Sequence, residues 1–210
     1  MFLVTGLVDA VSVLVLGHVF VANMTGNVIF LGFWLVPHSG VDLWAAVVAF
    51  LSFVTGAVIG GRLVRHFGSS QRRWLAVALS SEVVLLIVLA VLAGSGVLRY
   101  HDDTKLILIA GLAVAFGIQN ASARQFGIQE LSTTVLTQTI VGIGFDSRIA
   151  GGTGQREKLR YTVVLTMCAG AVLGATLTLH VVAPVIGLAA AVVTAAALIF
   201  AFGPAAPDAG

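Results

Sequence analysis

Chemistry in this chain can come only from a few polar side chains set in long apolar runs. Asp9 lies about two turns into the first run. A carboxylate at membrane depth is costly and by default marks an ion pair or a proton- or cation-coupling site. Arg124 is a candidate partner. The patch Asn23-Met24-Thr25-Gly26-Asn27 interrupts an otherwise continuous apolar stretch. Its residues have poor helix preference. A break inside a bilayer leaves backbone N–H and C=O groups to satisfy, each at several kcal/mol. Thr25 or Asn27 is expected to cap a half-helix starting near Val28, whose first N–H groups could hold an anionic or polar solute. A structural kink satisfied by neighbouring helices is the competing reading.

A second polar patch begins at Gln119-Asn120 and runs through Arg124, Gln129 and Glu130. Thr133, Thr134, Thr137, Gln138 and Thr139 follow it. Gln119, Asn120 and Gln138 would form the other wall of one polar pathway, with interhelical hydrogen bonding as the plainer alternative. Glu82 is expected to snorkel or to pair with Arg62 or Arg65. His18 and His180 read as helix-packing histidines, and Cys168 as a small buried hydrophobe. Gly56/Gly60 and Gly170/Gly174 are GxxxG pairs suited to close helix packing, or to a homodimer face. No nucleotide loop, metal-ligand cluster or nucleophile–base pair has a readable spacing. Gly151-Gly152-Thr153-Gly154 lacks the lysine of a phosphate loop and reads as a flexible turn. No cofactor, metal or enzymatic activity is expected.

The elements that must position these residues are helices in a bilayer. The 210 residues are 59% hydrophobic and 10% charged, with a mean hydropathy of +1.06. Soluble domains carry about 25% charged residues, so a water-soluble fold is excluded. A net charge of +2 gives no case for nucleic acid. Runs long enough to cross occur at about 2–22, 43–65, 74–93, 106–123, 159–182 and 184–203. Shorter apolar pieces at 28–36 and 131–145 read as half-helices or re-entrant segments. The opening MFLVTGLVDA lacks a basic region and a cleavage site, so no cleaved signal peptide is expected. Its uncharged start is the pattern of a chain beginning further upstream.

Basic residues cluster in two loops, 62–73 and 146–160, which the positive-inside rule places in the cytoplasm. Six crossings with both termini cytoplasmic satisfy this. The halves repeat: GAVIG at 56–60 matches GAVLG at 170–174, Thr25–Gly32 aligns with Thr137–Gly144, and Gly6-Leu7 aligns with Gly111-Leu112. Three crossings per half make the copies inverted, and the loop charges swap accordingly. Inverted repeats with broken helices point to a transporter binding site.

The stretch GLVDAVSVLVLGHVFVANMTGNVIFLG, the later GAVIGGRL and then GIQNASAR resemble the YoaK-like family of small bacterial inner-membrane proteins of unknown function. The resemblance runs from about Gly6 to Phe202 and rests on Asp9, Thr25-Gly26-Asn27 and Gln119-Asn120. Where the family tends to carry a second Thr-Gly, this chain has Thr137-Gln138. The resemblance implies a six-helix membrane protein and no known activity.

The expected fold is therefore all-α and polytopic. It is a single domain of six transmembrane helices, an inverted 3+3 repeat with broken first helices (about 2–93 and 106–203). The expected function is small-solute or ion transport across the bacterial inner membrane. The pathway would comprise Asp9, Asn23, Thr25, Asn27, Gln119, Asn120 and Gln138. The partners are the lipid bilayer, a small solute or ion, and a second copy in a homo-oligomer. The alternative is a non-transporting scaffold, assembly or sensor subunit.

Overall fold

Leu, Val, Ala and Ile in long unbroken runs leave the backbone one way to satisfy itself in lipid, the α-helix. A computed structural model describes residues 1–36, 40–67, 71–100, 102–124 and 136–202. They form α1 (Phe2–Val15), α2 (Met24–Gly32), α3 (Leu43–His66), α4 (Gln71–Gly94), α5 (Lys105–Arg124), α6 (Leu136–Phe145), α7 (Glu157–Thr178) and α8 (Ala183–Phe202). Four stretches are long and apolar enough to cross a bilayer: Leu43–His66, Arg73–Gly94, Lys105–Arg124 and Glu157–Thr178. The 14-residue α1 and the Ala183–Ile199 stretch of α8 are apolar but shorter. At 1.5 Å per residue, α1 rises about 21 Å, less than a ~30 Å hydrocarbon core.

The outer surface is apolar. Leu51, Val58, Ile87, Val91, Leu165 and Val172 are exposed, whereas Asp9, Asn27, Glu82 and Gln119 are buried. That reversal of the soluble pattern fits a chain whose solvent is lipid. Cys168 also lies on the outside of α7, contrary to the buried position expected. A cysteine is apolar enough to face hydrocarbon, so burial does not follow from an apolar run.

Glycines set the closest helix contacts. A Cβ on Gly170 would meet the Leu3 carbonyl, and one on Gly174 the Leu7 carbonyl, so α7 lies directly on α1. Gly56 and Gly60 stand in the same way against the carbonyls of Val114 and Ile118 on α5. Residue numbers rise together in both pairs, so each pair runs parallel. α4 packs on α8 and α5, and α1 also touches α8.

α3 and α5 are tied at their starts. Asp42 caps α3 by accepting from Ala45 N (3.1 Å), and its other oxygen lies 2.6 Å from Lys105 Nζ. Burial alone would push the Asp42 carboxyl up, but the Lys105 ammonium and the Ala45 N–H outweigh it and hold the group below its ordinary value. A carboxyl depressed by folding stabilises above its unfolded pKa, about 4, and that contribution is lost as pH falls through the folded value. Melting in detergent below about pH 4 is therefore expected to fall in the wild type by an increment missing from Asp42→Asn. Equal acid sensitivity in both would show the tie to be idle.

Candidate functional site

The first break is a folded-back loop. α1 ends at Val15, and Gly17 (φ 120°) and His18 (φ 59°) reverse the chain. A side chain at Gly17 would be strained by its φ and would press on Ala45, with a Cβ only 3.2 Å from the alanine Cβ. The loop then runs back along α1. The Ser12 hydroxyl donates to Val19 O (2.7 Å), and three residues earlier Asp9 Oδ1 accepts from Val21 N and Ala22 N, both at 2.9 Å. Asn23 Nδ2 donates to Asp9 Oδ2. Asn27 clamps the same loop from α2: its Oδ1 accepts from Phe20 N (2.9 Å) and its Nδ2 donates to Phe20 O. Gly26 leaves room for the Phe20 ring, which stacks on Phe30.

This geometry corrects the expected position of the break. The helix is interrupted at Leu16–Asn23, and Thr25, Gly26 and Asn27 lie inside α2. α2 begins at Met24, with Asn23 at its N-cap making no side-chain cap bond. Thr25 therefore caps nothing and is exposed. Asn27 reaches backward to the loop because that pairing satisfies both a backbone donor and a backbone acceptor. Asp9 is held by loop N–H groups, and the exposed Arg124 is not its partner. Backbone amides two turns from the end of α1 reach it where a side chain at the end of α5 does not.

The second patch is also more helical than expected. α5 continues to Arg124, so Gln119 and Asn120 sit within it. Asn120 Nδ2 donates to Phe116 O (2.9 Å) in its own helix. Thr133 and Thr134 lie outside the described residues. Gln138 is exposed on α6, and Thr139 beside it is buried.

Gln119 leads to the group that sequence reading undervalued. Its Nε2 donates to Glu82 Oε1 (2.7 Å) and lies 3.0 Å from Met1 Sδ. Glu82 is 1% exposed and stands at the midpoint of α4. Its hydrogen-bond partner is thus Gln119 on α5, where Arg62 or Arg65 was expected. Both arginines end α3, and Glu82 lies roughly 16 Å along α4 from its start, beyond the reach of a snorkelling side chain. The pair faces a cavity of about 300 Å³ between α1, α4, α5 and α8, lined also by Phe2, Leu79, Ser122 and Ala196. Gln119 Oε1 and Ser122 Oγ are buried there without a hydrogen-bond partner. The available signal was position: Glu82 is the single carboxylate of the 71–94 stretch and sits at its centre.

The seven expected pathway residues are thus divided. Asp9, Asn23 and Asn27 meet at the loop, Gln119 lines the cavity with Asn120 next to it in α5, and Thr25 and Gln138 face outward.

Residues 1–199 match the family described as "Protein of unknown function (DUF1275)". The chain belongs to that family. It is 32% identical over 182 residues to the UPF0700 transmembrane protein YoaK of Bacillus subtilis (strain 168), covering 81% of this chain and 78% of the relative. No solved structure matches. The family, the relative and the apolar helices together make this a multi-pass transmembrane protein, with the bilayer as its surroundings.

Proposed function

We propose that this member of the DUF1275 family moves a small solute or ion across the bacterial inner membrane, through the cleft where α1 and α4 meet α5 and α8. The observation that carries the reading is the midspan cavity, with a buried carboxyl and two orphaned polar atoms. A purely structural core would fill or pair such groups. The loop at Leu16–Asn23 and its clasp of Asp9, Asn23 and Asn27 serve as a rigid wall of one half. Their hydrogen bonds go to the loop backbone and to one another.

The architecture we propose is six crossings in two inverted halves. Exchange of α1–α4 for α5–α8 returns the same helix pairings: α1 on α7 becomes α5 on α3, and α4 on α5 becomes α8 on α1. The glycines support the same exchange, since Gly6 faces Met167 and Ala171 as Gly117 faces Phe53 and Ala57. This register pairs GLVDA at 6–10 with GIQNA at 117–121, and so Asp9 with Asn120. It replaces the alignment of Gly6 with Gly111, which faces the Leu89 side chain.

The parallel pairs gather the end of α3, the start of α4, the end of α5 and the start of α7 at one end, toward which the first residue of α1 points. Arg62, Arg65, Arg73, Arg124, Arg156, Lys158 and Arg160 lie there, which favours that end, toward which both termini point, in the cytoplasm. Trp34 and Trp44, packed edge to face at 6.0 Å, mark the opposite interface. In a Cys168→Ser background, cysteines at Gly68 and Thr153 are expected to be shielded from an impermeant thiol reagent in intact cells, and one at Ser95 to react. The reverse labelling would invert the assignment.

Transport is tested in proteoliposomes with a panel of cationic, anionic and neutral solutes. Glu82→Gln is expected to cut uptake at least tenfold while leaving the thermal midpoint near wild type. Undiminished uptake would remove the cavity from the pathway.

A further inference from the structure

The cavity beside Glu82 carries a more specific chemistry than solute binding in general. Its polar side chains, Glu82, Gln119 and Ser122, each offer an acceptor oxygen. The Gln119 amide N–H is spent on Glu82 Oε1, which leaves Gln119 Oε1 buried without a partner. Ser122 Oγ, one turn further along α5, has no partner either. Gln119 is 6% exposed and Ser122 3% exposed, so water outside the bundle does not serve these atoms. Among the described residues no lysine, arginine or histidine side chain lines the cavity; Met1 also borders it, and the rest of that wall is hydrocarbon, chiefly from Phe2, Leu75, Leu79 and Ala196.

Each ligand class can be set against that wall. An anion meets a carboxyl at close range. A hard metal cation takes six or more oxygens, and apolar walls cannot supply them. A neutral alcohol donates one hydrogen bond, so it can pair with one orphan atom and leaves the other without a partner. An ammonium on a short hydrocarbon answers every feature: its charge pairs with Glu82, its N–H donors reach Gln119 Oε1 and Ser122 Oγ, and its carbons meet the apolar wall.

We propose that the cavity between α1, α4, α5 and α8 binds a small primary alkylammonium ion, held by Glu82, Gln119 and Ser122. The proposal rests on the reading of this cavity as the solute site and names the class of solute.

The test uses the full chain in detergent and n-butylammonium chloride as probe, with n-butanol, sodium butyrate and sodium chloride as neutral, anionic and salt controls. Thermal shift and titration calorimetry read binding, and the same probes are then offered to proteoliposomes. Butylammonium is expected to raise the melting temperature in a saturable manner, and the controls to leave it unchanged at equal concentration. Glu82→Gln is expected to weaken binding at least thirtyfold and Ser122→Ala three- to tenfold. Ser122→Ala removes one small hydroxyl and keeps the test decisive even where Glu82→Gln fails to fold. Equal binding of butanol and butylammonium would overturn the proposal, as would wild-type affinity in Ser122→Ala. Glu82-dependent uptake of some other solute, with no binding of butylammonium, would overturn this inference and leave the transport reading standing. Glu82-dependent binding of butylammonium, with no uptake of any probe, would keep the ligand class and overturn transport.

Discussion

Asp9→Leu is expected to prevent the protein from accumulating in the membrane. The substitution removes the acceptor for the N–H groups of Val21 and Ala22 and for the Asn23 amide, all within a loop folded back against α1. An unpaired buried donor costs about 1–3 kcal/mol, so three of them amount to roughly 4 kcal/mol or more. That is a large share of the 5–15 kcal/mol by which folded proteins are stable. Asp9→Asn keeps one oxygen for the two backbone donors and loses only the contact with Asn23, at about 1 kcal/mol. The order of thermal midpoints in detergent should therefore be wild type, Asp9→Asn, Asp9→Leu. A coupling carboxylate would behave differently: Asp9→Leu would then fold normally and fail only in uptake. Normal folding would refute the clasp.

Gly170→Leu and Gly56→Leu are the second pair of severe substitutions. At each site the first added carbon already meets a backbone carbonyl of the neighbouring helix, Leu3 on α1 or Val114 on α5. Rotamer changes cannot relieve a clash with backbone, so the helices must part. Overpacking costs about 1–3 kcal/mol in ordinary cores, and separation of a parallel helix pair should reach the top of that range or exceed it. Gly187→Ala on α8 is the control, because nothing lies within 4 Å of a Cβ there. It should be neutral or stabilise by up to about 1 kcal/mol through helix propensity. Light scattering of the purified variants separates two roles for these glycines. Loss of the monomer fold is expected, whereas a folded monomer released from a dimer would assign them to a homodimer face.

The two glycine pairs were legible because small residues four apart have one dominant use in membrane helices. The long spans were legible for the same kind of reason: α3 at Leu43–His66 and α5 at Lys105–Arg124 fall within two residues of the runs at 43–65 and 106–123, whereas the run at 2–22 holds only the 14-residue α1. Hydrocarbon thickness and the need to satisfy the backbone leave little choice. The first break was misread by about a turn and a half. Asn, Thr and Gly look like helix breakers, but Asn27 keeps α2 intact and acts on Phe20, while the apolar stretch Leu16–Ala22 is the part that unwinds. Local propensity could not forecast this, because the loop is stabilised by a carboxyl twelve residues away.

The partner of Glu82 was similarly hidden. Sequence distance suggested the arginines of the nearby loop, and the hydrogen bond goes to Gln119, 37 residues further on. The register we propose for the halves shows the same limit. GLVDA and GIQNA share few identities, and an apolar chain supplies many rival matches such as Gly6 with Gly111.

Composition and hydropathy alone established that this chain lives in a bilayer as a bundle of apolar helices. Those properties are sums over many residues, and one polar exception does not alter them. Which polar residue serves structure and which faces an open cavity was decided only in three dimensions. A lone carboxyl, amide or hydroxyl takes its role from the groups within about 3 Å of it. Asp9 found backbone donors there and became a clasp. Glu82 found an amide and a cavity.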